Sequence, residues 1–221
     1  MTGIAKWVRE TLGHDPVEPA HFARALTHPS TADPDYQRLE FLGDRVLGLI
    51  VADWLYARYD ADAEGKLNNR LSQLVSGTTC AAIGRDIGVA PHIRLGKQAR
   101  DDGAADSDNV LGDVVEALIG ALYLDGGLEA AKRFVLGAWD GRVTGMEKAP
   151  LHPKSALQEW AAANGFEPPV YAIVRESGPP HDPRFTVSAS LPRGETAEAE
   201  AGSKREAETE AAKALLEKVA K

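Results

Sequence analysis

RLEFLGDRVLGLI, residues 38–50, sets Glu40 and Asp44 one turn apart in a segment whose other side chains belong to a buried helix: Leu39, Phe41, Leu42, Val46, Leu47, Leu49 and Ile50. Like charges at i and i+4 repel by roughly 0.2–0.5 kcal/mol on an exposed helix, and by more where water is scarce. Residues 110–125, VLGDVVEALIGALYLD, repeat the pattern with Asp113 and Glu116 at i and i+3 in an otherwise apolar stretch. None of the four acids has a Lys, Arg or His three or four positions away, so helical ion pairs do not account for them. Each pair falls on one helix face. If the two helices pack side by side, four carboxylates converge, and an all-oxygen cluster suits a hard divalent cation, Mg²⁺ or Mn²⁺, with water in the remaining positions. Two other readings stand beside this one. A single acidic pair on a helix is ordinarily a solvated face. A carboxylate di-iron bundle would need Glu-x-x-His, but Gly43 follows Glu40 and Ile119 follows Glu116 at that spacing.

Outward from these segments, apolar residues at a period of about 3.6 predict a helical first part. Ile4, Trp7, Val8 and Leu12 mark one helix; Phe22, Ala25 and Leu26 mark a second that ends near His28-Pro29. A long helix covers 38–59, a fourth carries Leu67, Leu71, Leu74 and Val75, and a short one covers 80–86. Residues 96–109, GKQARDDGAADSDN, read as a polar loop. Helices are expected over 110–124 and 128–139, separated by Asp125-Gly126-Gly127, and 141–153 reads as a flexible connection. Beyond it the period changes. A helix over 155–163 precedes three alternating segments, VYAIVRE (170–176), RFTVSAS (184–190) and the weaker ETAEAEAG (195–202), and a helix from Ser203 closes the chain. The expected fold is an all-α domain over 1–147 followed by a small α-β-β-β-α domain over 151–221.

Composition bounds the answer. With 43% hydrophobic and 26% charged side chains over 221 residues, the chain can build a real core. No apolar run approaches the roughly 20 residues of a membrane span, and MTGIAKWVRE becomes charged before any signal-peptide-length hydrophobic stretch. One cysteine, Cys80, cannot form an intrachain disulfide, so a cytoplasmic protein is expected, with Cys80 as a small core residue. The net charge of -8 argues against a nucleic-acid partner unless its phosphate-binding surface is a local patch.

RLEFLGDRVL, with ALTHPS (25–30) upstream and LGDVVEALIGALYLDGG (111–127) downstream, resembles the nuclease domain of ribonuclease III. The resemblance implies a homodimeric helical endoribonuclease that cuts double-stranded RNA with Mg²⁺, Mn²⁺ being able to substitute. The products would be 5′-phosphate and 3′-hydroxyl ends with a short 3′ overhang, as in the processing of ribosomal and messenger RNA. Matching positions make Glu40, Asp44, Asp113 and Glu116 the metal set, with Asp44 and Glu116 catalytic. Phe41 matches the aromatic that enters the partner subunit, and Glu64 an accessory acid; Glu64 can equally be a favourable charge at a helix N-terminus. Two positions depart from the family pattern. Gln37 stands where many members have Glu, and Arg45 replaces a small residue, its guanidinium expected to point away toward a phosphate or solvent. His28 is expected to be structural.

Residues 154–216 resemble a double-stranded-RNA-binding domain, which reads A-form shape across two minor grooves and the intervening phosphates. By that resemblance Gln158 and Glu159 meet ribose 2′-hydroxyls and His181 reaches the next minor groove. Ser203, Lys204 and Arg205 stand at a helix N-terminus, where backbone N–H groups favour phosphate. The rival to an enzyme is a binding protein, a duplex-RNA module on a helical dimerisation domain without chemistry; the four retained acids discriminate between the two.

Overall fold

The computed structural model describes residues 3–179 and 183–220. It divides into two compact units, Met1–Pro150 and Leu151–Lys221. The first is helical throughout: α1 (Gly3–Leu12), α2 (Pro19–Ala25), α3 (Gln37–Arg58), α4 (Glu64–Leu74), α5 (Gly77–Asp86), α6 (Lys97–Asp101) and α7 (Asp108–Thr144), with short 3-10 turns at Ala90–His92 and Ala104–Asp106. Serines start two of these helices by accepting an orphan N–H: Ser76 from Thr79 and Ser107 from Val110. Among the described residues, no helix is long and apolar enough to cross a membrane.

α3 and α7 form the centre of this unit. Leu47, Ile50, Val51 and Leu55 of α3 share one buried core with Leu118, Ile119 and Leu122 of α7. Their backbones touch at two glycines. A Cβ at Gly43 would lie 1.7 Å from the Glu116 carbonyl oxygen, and one at Gly120 would lie 2.3 Å from that of Leu39. Only glycine permits such an approach. Gly43 lies between Glu40 and Asp44, and Gly120 follows Glu116 by one turn, so the closest point of the crossing lies beside the acidic pairs.

Three sequence expectations are corrected here. The stretch 96–109 is not loop alone: α6 and a 3-10 turn lie within it, held by Ala99, Ala104 and Ala105 against the core. The helices expected over 110–124 and 128–139 are two arms of α7 joined at a kink, where Gly127 has φ 71° and ψ -174°. The kink is pinned by Asp125, whose carboxylate accepts hydrogen bonds from His14 Nε2 (2.6 Å) and from the backbone N–H groups of Val17 (2.9 Å) and Glu18 (2.6 Å). Finally, α7 runs to Thr144, into the expected connection, because Val143 is buried and Tyr59 Oη donates to the Val143 and Met146 carbonyls.

The second unit has α8 (Pro153–Ala163), β1 (Val170–Ser177), β2 (Arg184–Ser190), β3 (Thr196–Ala201) and α9 (Lys204–Val219). The strands form one antiparallel sheet in the order β1-β2-β3, with a register shift between Ile173 and Arg175. Val187 and Ala189 of β2 and Ala201 of β3 face Leu157 and Ala161 of α8 and Ala207, Ala211 and Leu215 of α9 in its core. Proline at the first turn of α8 and Ser203 before α9, accepting from the Glu206 N–H, begin the two helices.

Candidate active site and RNA-binding surface

The α3–α7 crossing puts Glu40, Asp113 and Glu116 within one another's fields. Burial, then the charges of Glu40 and Asp113, push the Glu116 carboxyl from the ordinary 4.5 to about 7. Burial, then Asp113 and Asp35, raise Glu40. Asp113 is raised by burial against the opposing pull of a hydrogen bond from Tyr36 and the charge of His28. These are the signatures of carboxylates crowded in a poorly solvated place.

Asp44 is placed differently. Its carboxylate pairs with the Arg45 guanidinium, which also lies 5.5 Å from the centroid of Phe41. Arg45 therefore does not point away, as the sequence suggested. Its charge also favours the ionised form of Glu116. Among the described residues no Lys or Arg forms an ion pair with Glu40, Asp113 or Glu116.

Two further side chains, which sequence reasoning did not find as site residues, hold the α7 pair. Tyr36 Oη donates to Asp113 Oδ2 at 3.1 Å, and the Cys80 thiol lies close enough to Glu116 to favour its ionised form. Both are buried. Neither carries a charge, so a search for acids and their partners passes over them.

Whether these residues suit a metal ion depends on chemistry and on closure. The donors are hard oxygens, as Mg²⁺ or Mn²⁺ requires, and their mutual repulsion gives a cation something to relieve. As the side chains stand, no group of three His, Cys, Asp or Glu among the described residues is closed around a point that could hold an ion. Asp44 is engaged by Arg45, and one oxygen of Asp113 by Tyr36. The set fits in charge and donor type.

Of the remaining expected residues, Glu64 is exposed in the first turn of α4 and enters none of the described interactions of the four acids. Phe41 is 68% exposed on α3, as are Leu49 at 58% and Tyr56 at 77%. Gln37 is the first residue of α3, its N–H donating to Asp35. In the second unit Gln158 and Glu159 are exposed on α8, and Ser203, Lys204 and Arg205 are exposed at the start of α9. Lys204 is drawn toward Glu176 at 2.9 Å and lies 5.3 Å from the Phe185 ring. His181 lies outside the described residues.

Both units match known proteins. Residues 19–139 match the family described as Ribonuclease-III-like, and residues 153–219 match the Double-stranded RNA binding motif. A protein named Ribonuclease 3 from Zymomonas mobilis subsp. mobilis is 58% identical over 211 residues, 96% of this chain and 86% of its own. Ribonuclease 3 of Rhodobacter capsulatus is 47% identical over 95% of this chain and 93% of its own. A crystal structure of the ribonuclease III nuclease domain of Campylobacter jejuni superposes with a TM-score of 0.60 at 31% identity, covering 64% of this chain and 97% of that one. A second structure of that domain, described by flexibility in a region involved in dimer formation, gives 0.59 at 31% identity over 60% and 94% of the two chains. Fold and site together define an endonuclease of double-stranded RNA. The chain belongs to the ribonuclease III family.

Proposed function

We propose that residues 1–147 hydrolyse phosphodiesters of duplex RNA at a divalent-cation site built from Glu40, Asp44, Asp113 and Glu116, while residues 151–221 hold the duplex. Mg²⁺ is the ion, with Mn²⁺ able to substitute, and the products carry 5′-phosphate and 3′-hydroxyl ends. The observation that carries this reading is the crowding of like charge at the α3–α7 crossing, where Glu116 is pushed to about 7 beside Glu40 and Asp113.

A bound divalent cation supplies neutralisation of the phosphoryl oxygens, an acidified water and support for the leaving 3′-oxygen. The side chains do the rest. Glu116 in its ionised form and Asp44 released from Arg45 would hold the cation, and the Arg45 guanidinium would then be available to a phosphate. Asp44 and Glu116 are the residues assigned to catalysis, Glu40 and Asp113 complete the set, and Glu64 is accessory. Neither a histidine base nor a covalent intermediate is invoked.

Two copies are proposed to join through α3, where Phe41, Leu49 and Tyr56 leave an apolar stripe uncovered. Gln158 and Glu159 are assigned to ribose hydroxyls, His181 to the following minor groove, and Ser203, Lys204 and Arg205 to phosphates. Structured ribosomal and messenger precursors in the cytoplasm are the proposed substrates.

Glu116→Lys tests the chemistry, because it puts a cation where a ligand should be. Duplex binding is expected to persist while Mg²⁺-dependent cleavage disappears. Unchanged cleavage of a long perfect duplex would refute the assignment and favour a binding protein.

A further inference from the structure

We infer that Tyr36 is a positioning residue for Asp113, and that the contacts of the ALTHPS segment hold it in place; this rests on reading Asp113 as a site carboxylate. Tyr36 immediately precedes α3, is only 3% exposed and reaches across to α7 with its hydroxyl 3.1 Å from Asp113 Oδ2. Three contacts fix the ring's place. Its own N–H donates to the Thr27 carbonyl at 2.9 Å. The His28 ring meets it edge-on, with centroids 5.7 Å apart and planes at 74°. Its hydroxyl is spent on Asp113.

The segment that provides those contacts is itself locked. Thr27 is buried, its hydroxyl donates to the Ala23 carbonyl at 2.8 Å, and it forms a one-residue parallel bridge with Arg94. The Arg94 N–H donates to the Leu26 carbonyl at 2.7 Å, and the His28 N–H to the Arg94 carbonyl at 2.9 Å. Ser30 Oγ lies 2.8 Å from His28 Nδ1 and accepts the Gly96 N–H at 2.9 Å. A Cβ at Gly96 would lie 2.4 Å from the Ser30 carbonyl oxygen, so the loop before α6 closes tightly on this motif. An unbroken series of contacts thus runs from Ser30 through His28 and Tyr36 to Asp113.

A phenol suits this task for an electrostatic reason. An arginine or lysine would orient Asp113 but would also cancel the charge that attracts a cation. A neutral hydroxyl fixes one carboxylate oxygen and leaves the charge in place; partners that orient a ligating group in this way typically govern affinity by about ten-fold or more.

The test uses the full chain as parent, Tyr36→Phe and Asp113→Asn. Mn²⁺ binding is measured calorimetrically without RNA, and cleavage of a duplex is followed across a Mg²⁺ titration. Tyr36→Phe should weaken Mn²⁺ binding and raise the half-saturating Mg²⁺ by about ten-fold, with duplex affinity in EDTA retained and the rate recovering at high Mg²⁺. His28→Ala, which removes the ring contact and the ring's hydrogen bonds with Ser30 but leaves the Tyr36 hydroxyl in place, should shift both quantities in the same direction by a smaller factor. If Asp113→Asn loses Mn²⁺ while Tyr36→Phe stays within two-fold of the parent, the positioning role is overturned and the carboxylate site stands. If Asp113→Asn binds as tightly as the parent, the site reading falls and this inference falls with it.

Discussion

Glu116 is pushed from the ordinary 4.5 to about 7, first because ionisation would strand a charge in a half-buried place and then because that charge would face Glu40 and Asp113. The sign of the consequence follows from linkage. Between those two values the unfolded chain has lost the proton and the folded chain keeps it, so this contribution to stability is complete below about 4.5 and is lost as pH rises through about 7. Urea unfolding in EDTA should therefore show the metal-free protein weakening over that window, and Glu116→Gln should flatten the slope. An unaltered slope in the variant would mean that the carboxylates do not interact as described. Protons and a divalent cation compete for the same oxygens. Raising Mg²⁺ should accordingly move the acidic limb of the cleavage profile to lower pH.

At the scale of elements, the site depends on how closely α3 and α7 approach. Gly43→Ala would drive a methyl into the Glu116 backbone, with the 1.7 Å separation leaving no room for side-chain adjustment. A loss of about 3 kcal/mol or more in urea unfolding is expected, with the carboxylates separated in whatever folds. Gly137→Ala, on the exposed side of α7 with nothing within 4 Å of the new carbon, should instead gain about 0.5–1 kcal/mol. Similar effects from both would contradict the close crossing. This crossing also marks what the sequence could and could not disclose. The acidic pairs were legible because charge without a basic neighbour is conspicuous in an apolar helix, and the long helices were legible from their period. Tyr36 and Cys80 were not, since a tyrosine and a cysteine near apolar residues look like core until the partner helix is in place. α6 escaped because GKQARDDG offers a single apolar residue, Ala99, whose packing is tertiary. The continuation of α7 past Gly127 and on to Thr144 likewise depends on tertiary partners: His14 and the Val17 and Glu18 N–H groups on Asp125, Tyr59 on the Val143 and Met146 carbonyls, and the Arg70 guanidinium on the Met146 carbonyl. Arg45 differs for another reason: its pairing with the adjacent Asp44 is a choice of rotamer, which spacing along a helix does not fix.

For the whole molecule, the question raised by a net charge of -8 is how an acidic protein holds a polyanion. The start of α9 offers a local answer, with Ser203 capping the helix, exposed Lys204 and Arg205, and a helix dipole that favours phosphate. Glu176 beside Lys204 limits its strength. Lys204→Ala with Arg205→Ala should weaken duplex binding by roughly 1 kcal/mol or more at moderate salt and flatten the salt slope by about one to two. Cleavage at saturating RNA should keep its Mg²⁺ dependence. A slope identical to the parent's would show that these side chains do not touch phosphate. Binding and cutting then reside in separable units of one chain, and the claim that joins them is that acids from α3 and α7 hold a divalent cation against the RNA backbone. The most direct measurement is incubation of the purified protein with a long perfect RNA duplex, with and without Mg²⁺, followed by mapping of the product ends. The expected result is cleavage only with Mg²⁺, giving 5′-phosphate and 3′-hydroxyl ends with a short 3′ overhang; cleavage that persists in EDTA, or products with 5′-hydroxyl ends, would contradict the account.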